Sequence, residues 1–339
     1  MIKVAALTTG KHDPASRFRV RQFIKPLAQL GVQVTEHYPL INKYRFRQLP
    51  PLALLMRVPG LAAARARDVT WFGREMVSGK FTLERFAGAK RVFDVDDAIW
   101  LYNDSSFSER IANVCDGVIA GNRFLAEHYE RCGARRTWIV PTSIDTELWT
   151  PAAKERRARR RRWTIGWSGI WSNLRYVYAI EEPLADFLAE CPESELLIVC
   201  DRRPVFKRIP AASWRYAAWS PEKEIDFVRE MDVGLMPLAD TPWERGKCAF
   251  KMLSYMAIGL PVVVSPVGVN REVLARDAVG LGAATMDAWY RALRHLFDHR
   301  DAAARMGEAG RKVVESHYSV RRSAHALARI FQQVAGDTG

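Results

Sequence analysis

The chain has 339 residues, with 51 Lys and Arg against 38 Asp and Glu and a net charge of +13; that length exceeds what one core usually organises, so two domains are expected. No apolar run approaches the ~20 residues needed to span a bilayer and no signal peptide opens the chain, which argues against a membrane-spanning or secreted protein. Five scattered cysteines (Cys115, Cys132, Cys191, Cys200, Cys248) have no metal-ligand spacing, a pattern expected of reduced thiols in a cytoplasmic protein.

The surplus charge lies in one half. Residues 1–162 carry 29 Lys and Arg against 16 Asp and Glu, whereas residues 163–339 carry 22 of each. The first half is therefore expected to meet something anionic, such as a phospholipid surface, a phosphorylated substrate or nucleic acid; a solvated basic face is the plain alternative.

Residues 2–7 (IKVAAL) read as a buried strand, followed by the loop TTGKHDPAS, an amphipathic helix over 18–30 closed by Gly31, and a strand over 32–37. This β–loop–α–β opening belongs to doubly wound sheets. One glycine in the loop makes no dinucleotide fingerprint. Arg17, Arg19 and Arg21 either bind a phosphorylated acceptor or lie on an exposed helix. Residues 43–67 mix Leu, Met and Pro with arginines, which suits either helices lying on a membrane or an excursion packed on the core. Strands are read at 69–72 and 91–94, the second running into FDVDDAIW. Asp94, Asp96 and Asp97 thus stand at a strand's C-terminal end, where α/β proteins place ligands. They suit a divalent metal, a helix cap or a substrate hydroxyl, and no metal is assigned. A strand at 116–120 precedes a helix whose N-cap region is Gly121-Asn122, and the last strand of this half is at 138–140. The basic run KERRARRRRW, 154–163, reads as linker. It lacks the aromatic platforms or module that nucleic-acid binding requires.

A second alternation starts at 164. TIGWSG is a strand and turn, 176–189 a helix, 196–200 and 214–217 strands, 223–231 a helix and 232–236 a strand into PLADTPWERGK. Then comes GKCAFKMLSYMAIGLPVVVSPVG, 246–268: a Gly-Lys loop, a short helix, a stop at Gly259 that calls for positive φ, and a strand at 262–264 restarted by Pro261. A helix N-terminus aimed at a Gly-Lys loop favours an anion, and Lys247 and Lys251, four apart, are expected on one face of the first turn. The stretch is either the phosphate end of a nucleotide site or a core helix with two solvated lysines.

The order of pieces resembles the retaining GT-B glycosyltransferases, specifically the large family 4 that uses nucleotide sugars. VIAGNRFLAEHY, IVPTSIDTELW, IGWSG, DVGLMPL…GKCAFKMLSYMAIGLPVVVSPVGVNREVL and GRKVVESHYSVRRSA carry the likeness. It implies an α/β fold of two Rossmann-like doubly wound domains facing across a cleft. Residues 1–155 would bind the acceptor and 156–319 the nucleotide sugar, with the helix of 320–339 packing back on the first domain. The resemblance places Gly169 at the C-domain turn and Arg175 at the cation that neutralises the donor diphosphate. The family's two donor-site glutamates fall on Gly246 and Ser254; Glu244 is expected to serve for the first and the Ser254 hydroxyl for the second.

The expected function is metal-independent transfer of a hexose, with retention, from a UDP- or GDP-type nucleotide sugar to a lipid-linked or polysaccharide acceptor. No cofactor is expected. Asp96, Asp97, Lys247 and Lys251 are the candidate catalytic residues. Gly169, Arg175, Glu244, Gly246, Lys247, Cys248, Ala249, Phe250, Lys251 and Ser254 are the candidates for holding the donor. Partners would be the donor, the acceptor and an anionic membrane, and not nucleic acid, with the protein peripheral on the cytoplasmic face of the cell membrane. The alternatives are a metal-dependent transferase using Asp94, Asp96 and Asp97, and a non-catalytic sugar-nucleotide-binding partner.

Overall fold

A computed structural model describes residues 1–11, 13–39, 55–76, 83–88, 90–103, 106–151 and 162–336. Residues 43–54 of the basic excursion and 154–161 of the basic block lie outside these. The chain divides into two compact units: Met1–Asp145 with Arg245–Cys248 and Tyr318–Gly339, and Thr146–Glu244 with Ala249–His317.

Unit 1 is built on six parallel strands, β1 (Ile2–Leu7), β2 (Val32–His37), β3 (Val69–Gly73), β4 (Arg91–Val95), β5 (Gly117–Ala120) and β6 (Thr137–Ile139), in the order β2-β1-β3-β4-β5-β6. The sheet is buried on both faces, which is why its strands read as near-continuous apolar runs rather than alternations. Val4, Ala6 and Trp71 enter one core with the C-terminal helix Val320–Gly336, where Trp71 meets Phe331 at a ring distance of 5.1 Å. Ala5, Leu7, Phe72 and Phe93 enter the other. A parallel bridge between Ile144 and Ser319 and the Ser143–Ser323 hydroxyl contact (2.7 Å) seat the start of that helix. Of the basic excursion, Val58–Arg65 is a helix that buries Leu61 and Ala64.

Unit 2 carries β7 (Trp163–Gly169), β8 (Ser194–Cys200), β9 (Trp214–Ala218), β10 (Val233–Met236), β11 (Val262–Val264) and β12 (Gly280–Gly282) in the order β12-β11-β10-β7-β8-β9, again all parallel. Strand order reverses between β7 and β10. In open parallel sheets, ligands bind outside the strand ends at such a switch point.

Three local expectations are corrected. The helix expected over 18–30 is a π-helical turn at Ser16–Val20, a 3-10 turn at Arg21–Phe23 and an α-helix only at Ile24–Gln29; Pro26 has no N–H for the Gln22 carbonyl. The helix expected over 176–189 is two, Leu174–Tyr178 and Glu181–Glu190, because Pro183 likewise leaves the Ala179 carbonyl without its helical donor. Third, Lys247 and Lys251 do not share a helical turn. The helix starts at Phe250, after Ala249 turns the chain through a left-handed φ of 55°. Gly259, at φ 74°, closes this helix as expected.

Candidate active site

In unit 1 the three aspartates stand at the end of β4, and each is held by an arginine. Asp94 receives Arg19 Nε at 2.8 Å and Trp71 Nε1 at 3.2 Å, and Arg19 Nη1 also donates to the Val140 carbonyl at 2.8 Å. Both charged side chains are buried, 3% and 1% exposed. This corrects the reading of Arg19 as an exposed or phosphate-binding residue: the π-helical turn aims it inward, where it neutralises Asp94. Arg21 pairs with Glu36 at 2.8 Å.

Asp96 and Asp97 share Arg74. Its Nε donates to Asp96 Oδ1 at 2.8 Å, its Nη2 lies 2.7 Å from that same oxygen, and Nη2 donates to Asp97 Oδ2. Lys247 Nζ lies 3.8 Å from the other oxygen, Asp97 Oδ1. Burial opposes the charge on both carboxyls. For Asp96 the Arg74 and Arg19 cations outweigh it and hold the group below the usual carboxylate range. For Asp97, burial together with the Asp96 charge prevails over Arg74 and Lys247 and pushes the group up.

Gly246 and Cys248 pack beside this cluster. Asn122, the N-cap of the helix Arg123–Arg131, accepts from Leu125 N–H through its oxygen, while its Nδ2 donates to the carbonyls of Gly246 (3.0 Å) and Lys247 (3.3 Å). Cys248 Sγ donates to the Asp96 carbonyl at 3.3 Å. Burial, followed by the Asp96 charge, drives this thiol far up, so it is a packed hydrogen-bond donor and not a thiolate. A Cβ on Gly246 would come within 2.7 Å of Ala98 Cβ and 2.9 Å of Ala98 N. No side chain fits where the resemblance leads one to expect a glutamate.

In unit 2 the residues after β7 and β10 meet at the switch point. Glu244, 3% exposed, accepts hydrogen bonds from the Tyr176 and Thr241 hydroxyls, and Arg175 Nη2 stands 3.5 Å from its Oε1. Arg175 also donates to the Tyr176 hydroxyl at 2.7 Å. The Tyr176 phenol is pushed up to about 12 by burial and by its bond to Glu244, so it remains a donor at any ordinary pH. Lys251 Nζ lies 5.6 Å from the centre of the Trp167 ring, on β7, within reach of a cation–π attraction. Gly169 makes room for it, since a Cβ there would lie 2.7 Å from Lys251 Cε. No side chain caps the helix that starts at Phe250. The Ser254 hydroxyl donates to the Phe250 carbonyl one turn back, at 2.7 Å.

Of the candidates named from sequence, Asp96, Asp97, Lys247, Gly246 and Cys248 come together in unit 1. Gly169, Arg175, Glu244, Ala249, Phe250, Lys251 and Ser254 belong to unit 2. Sequence reasoning missed Arg74, Tyr176, Thr241 and Trp167. Arg74 had one legible signal: it directly follows a strand, at the end where ligands bind. Among the described residues, no group of three or more His, Cys, Asp or Glu is arranged to hold a metal ion.

Residues 169–299 match the family described as Glycosyl transferases group 1. The chain carries a glycosyltransferase domain. The match begins at Gly169 and takes in Arg175, Glu244 and Lys251, and places the protein among enzymes that transfer glycosyl groups. No curated protein matches the chain. Three solved structures are similar over nearly the whole length. Sucrose-phosphate synthase from Thermosynechococcus elongatus shares 15% identity at a TM-score of 0.73, covering 98% of this chain and 99% of that one. Anabaena Alr3699/HepE in complex with UDP shares 13% at 0.67, covering 98% and 100%. The catalytic domain of starch synthase IV from Arabidopsis thaliana, bound to ADP and acarbose, shares 11% at 0.72, covering 99% and 100%. The two parallel six-stranded sheets with flanking helices are those of the GT-B fold.

Proposed function

We propose that the protein transfers a hexose from a nucleotide-sugar donor to a lipid-linked or polysaccharide acceptor, with retention of configuration and without a metal. The observation that carries this reading is the meeting of Arg175, Tyr176 and Glu244 at the switch point of a group 1 glycosyl transferase domain. Structures of the same fold hold UDP, UDP-glucose or ADP, which supports a nucleotide diphosphate as the donor's leaving group.

The chemistry asked of the residues is electrostatic. As the bond between the anomeric carbon and the phosphate oxygen breaks, the sugar becomes oxocarbenium-like and negative charge grows on the diphosphate. Arg175 and Lys251 are the cations of unit 2 assigned to that charge, helped by the N–H groups at Ala249 and Phe250. Stabilisation of this kind is worth ~3–4 kcal/mol per well-aimed donor. The acceptor oxygen bonds the anomeric carbon on the face the diphosphate leaves, and its proton passes to the leaving phosphate oxygen, which retains configuration. Asp96 or Asp97 orients the acceptor hydroxyl. Glu244, held by two hydroxyls, is the group assigned to a sugar hydroxyl of the donor. The pairing of each of Asp94, Asp96 and Asp97 with an arginine favours this role over metal ligation.

The basic first half is the feature that supports docking on an anionic cytoplasmic membrane face; no helix among the described residues is long and apolar enough to cross a membrane. The test of function is a thermal-shift screen with UDP-, GDP- and ADP-sugars followed by donor hydrolysis with and without a chelator. Turnover that survives the chelator is expected. Binding without turnover of any donor would instead support a non-catalytic sugar-nucleotide-binding protein, and loss with chelator a metal-dependent one. Flotation with liposomes is expected to depend on anionic lipid, and indifference to lipid charge refutes the docking.

A further inference from the structure

Arg74 has a backbone that its side-chain type does not choose. At φ 69° it sits in the left-handed region, which an L residue with a long side chain takes only where its surroundings impose it. The residue before it is Gly73, for which that conformation would be free, yet the left-handed turn falls on the arginine. The turn has a geometric result. Gly73 pairs with Asp94 across β3 and β4, and the Arg74 N–H donates to the Asp94 carbonyl at 3.0 Å. The backbone thus continues the ladder for one more bond. The left-handed twist then sends the guanidinium sideways past the end of β4, to residues 22 and 23 positions further along the chain.

Arg74 holds each carboxylate through one oxygen: Asp96 Oδ1 accepts from Nε at 2.8 Å and stands 2.7 Å from Nη2 of the same guanidinium. Asp97 is held through Oδ2 alone, and its Oδ1 faces Lys247 Nζ across 3.8 Å, longer than a hydrogen bond. We propose that Arg74 is the positioning residue of this constellation: it clamps Asp96 and Asp97 by one oxygen each, and Asp97, whose other oxygen faces Lys247, is the carboxylate that takes the hydrogen bond of the acceptor hydroxyl. This rests on the acceptor-side reading of the two aspartates given above. The charged and titratable groups that face the pair are Arg74 from the end of β3, Lys247 and Cys248 from residues 245–248, Arg19 from the turn after β1, and Asp94 on β4 itself. Burial pushes both carboxyls up; for Asp96 the Arg74 and Arg19 cations outweigh it, while for Asp97 burial with the Asp96 charge prevails, in keeping with Asp97 as the stronger acceptor of a hydrogen bond from a hydroxyl. Asp96, in this arrangement, orients its neighbour and does not touch substrate.

The test uses the full chain with Arg74→Lys, Arg74→Gly, Asp96→Asn and Asp97→Asn. Glycine suits the left-handed backbone, so Arg74→Gly removes the fork without adding backbone strain. Carbon-13 labelling of the aspartate carboxyl carbons, assigned through the two asparagine variants, reads the titrations with no need of a substrate. Arg74→Gly is expected to raise the Asp96 midpoint by more than one pH unit, and Arg74→Lys by less, since it keeps the charge and loses the fork. An unmoved midpoint in Arg74→Gly overturns the clamp, whatever its melting temperature. Hydrolysis of UDP-glucose, with water as the acceptor, separates the two carboxylates. Asp97→Asn is expected to lower the rate at least tenfold more than Asp96→Asn, at unchanged KM for UDP-glucose. Equal losses overturn the assignment to Asp97. No loss in either asparagine variant sinks the acceptor-side reading itself, and is recognised as such because the Arg74 variants still shift the titration.

Discussion

Replacing Gly246 by alanine tests the close approach that keeps a side chain out of residue 246. The added Cβ would stand 2.7 Å from Ala98 Cβ and 2.9 Å from Ala98 N, against ordinary contact distances of about 3.5–4.0 Å. The nitrogen is backbone and cannot rotate away, so residues 245–248 must shift by the better part of an ångström. Overpacking of this kind costs about 1–3 kcal/mol. The shift also stretches the Asn122 Nδ2 bond to the Gly246 carbonyl, now 3.0 Å, adding about 1 kcal/mol. The expected loss is therefore about 2–4 kcal/mol. It is measured as the displacement of the urea-unfolding transition followed by tryptophan fluorescence, compared at constant slope because a two-unit chain need not unfold in one step. Ala98→Gly in the same chain removes the methyl contact and leaves the nitrogen contact, so it is expected to recover part of the loss. A Gly246→Ala protein within about 0.5 kcal/mol of the parent, the range of an ordinary surface change, refutes the reasoning. By the same geometry, Gly246→Glu is expected to perturb the protein and not to improve turnover.

Two further outcomes are expected. Glu84 is fully buried beside Arg57 and Glu75, with Oε1 taking the Met76 N–H, and burial, opposed chiefly by that N–H, pushes its carboxyl from 4.5 up to about 7. Since the folded value lies above the unfolded one, the folded state binds the proton more tightly, and stability falls as pH rises from about 4.5 to about 7, by ~3 kcal/mol in all. Glu84→Gln is thus expected to match the parent near pH 4.5 and exceed it progressively toward pH 8 in urea titrations, and a difference that does not change with pH would rule this out. Tyr176→Phe removes a hydroxyl that donates to the buried Glu244 carboxylate and leaves Thr241 and Arg175 in place. A loss of about 1.5–3 kcal/mol is expected, the range for a hydrogen bond to a charged group, and unchanged unfolding would mean that the phenol is not a partner of the charge.

The sheets were legible because parallel strands buried on both faces must be apolar at every position. Val262–Val264 is that kind of run, and so is most of Ser194–Cys200. Helix interruptions were harder to read, since Pro183 and Pro26 are each tolerated near a helix start and break one only in context. Lys247 and Lys251 misled for a different reason. Their spacing is helical, but the left-handed residue between them is an alanine, and only a glycine or asparagine would have announced such a turn. Arg175 and Glu244 were singled out only through the resemblance to the glycosyltransferase family. That they meet, 69 positions apart in the chain, follows from β10 returning to lie beside β7, and periodicity holds no trace of strand order.

Burial also separates the arginines into two kinds, and that separation bears on which of them serve a ligand. Arg19 is 3% exposed and held at 2.8 Å by a carboxylate that is itself fully enclosed. Opening that pair would leave a buried charge uncompensated, at about 3–5 kcal/mol, so a phosphate in solvent does not compete for it. Arg175 is 59% exposed and stands 3.5 Å from Glu244, a loose contact whose charge is screened by water. Moving that guanidinium also gives up its 2.7 Å hydrogen bond to the Tyr176 hydroxyl, while the Tyr176 and Thr241 hydroxyls still satisfy the carboxylate left behind. The sequence shows arginines of one kind. What separates their use is how well other donors cover the acid when the cation leaves: Asp94 would keep one, the Trp71 Nε1–H at 3.2 Å, in a fully enclosed place, and Glu244 keeps two hydroxyls.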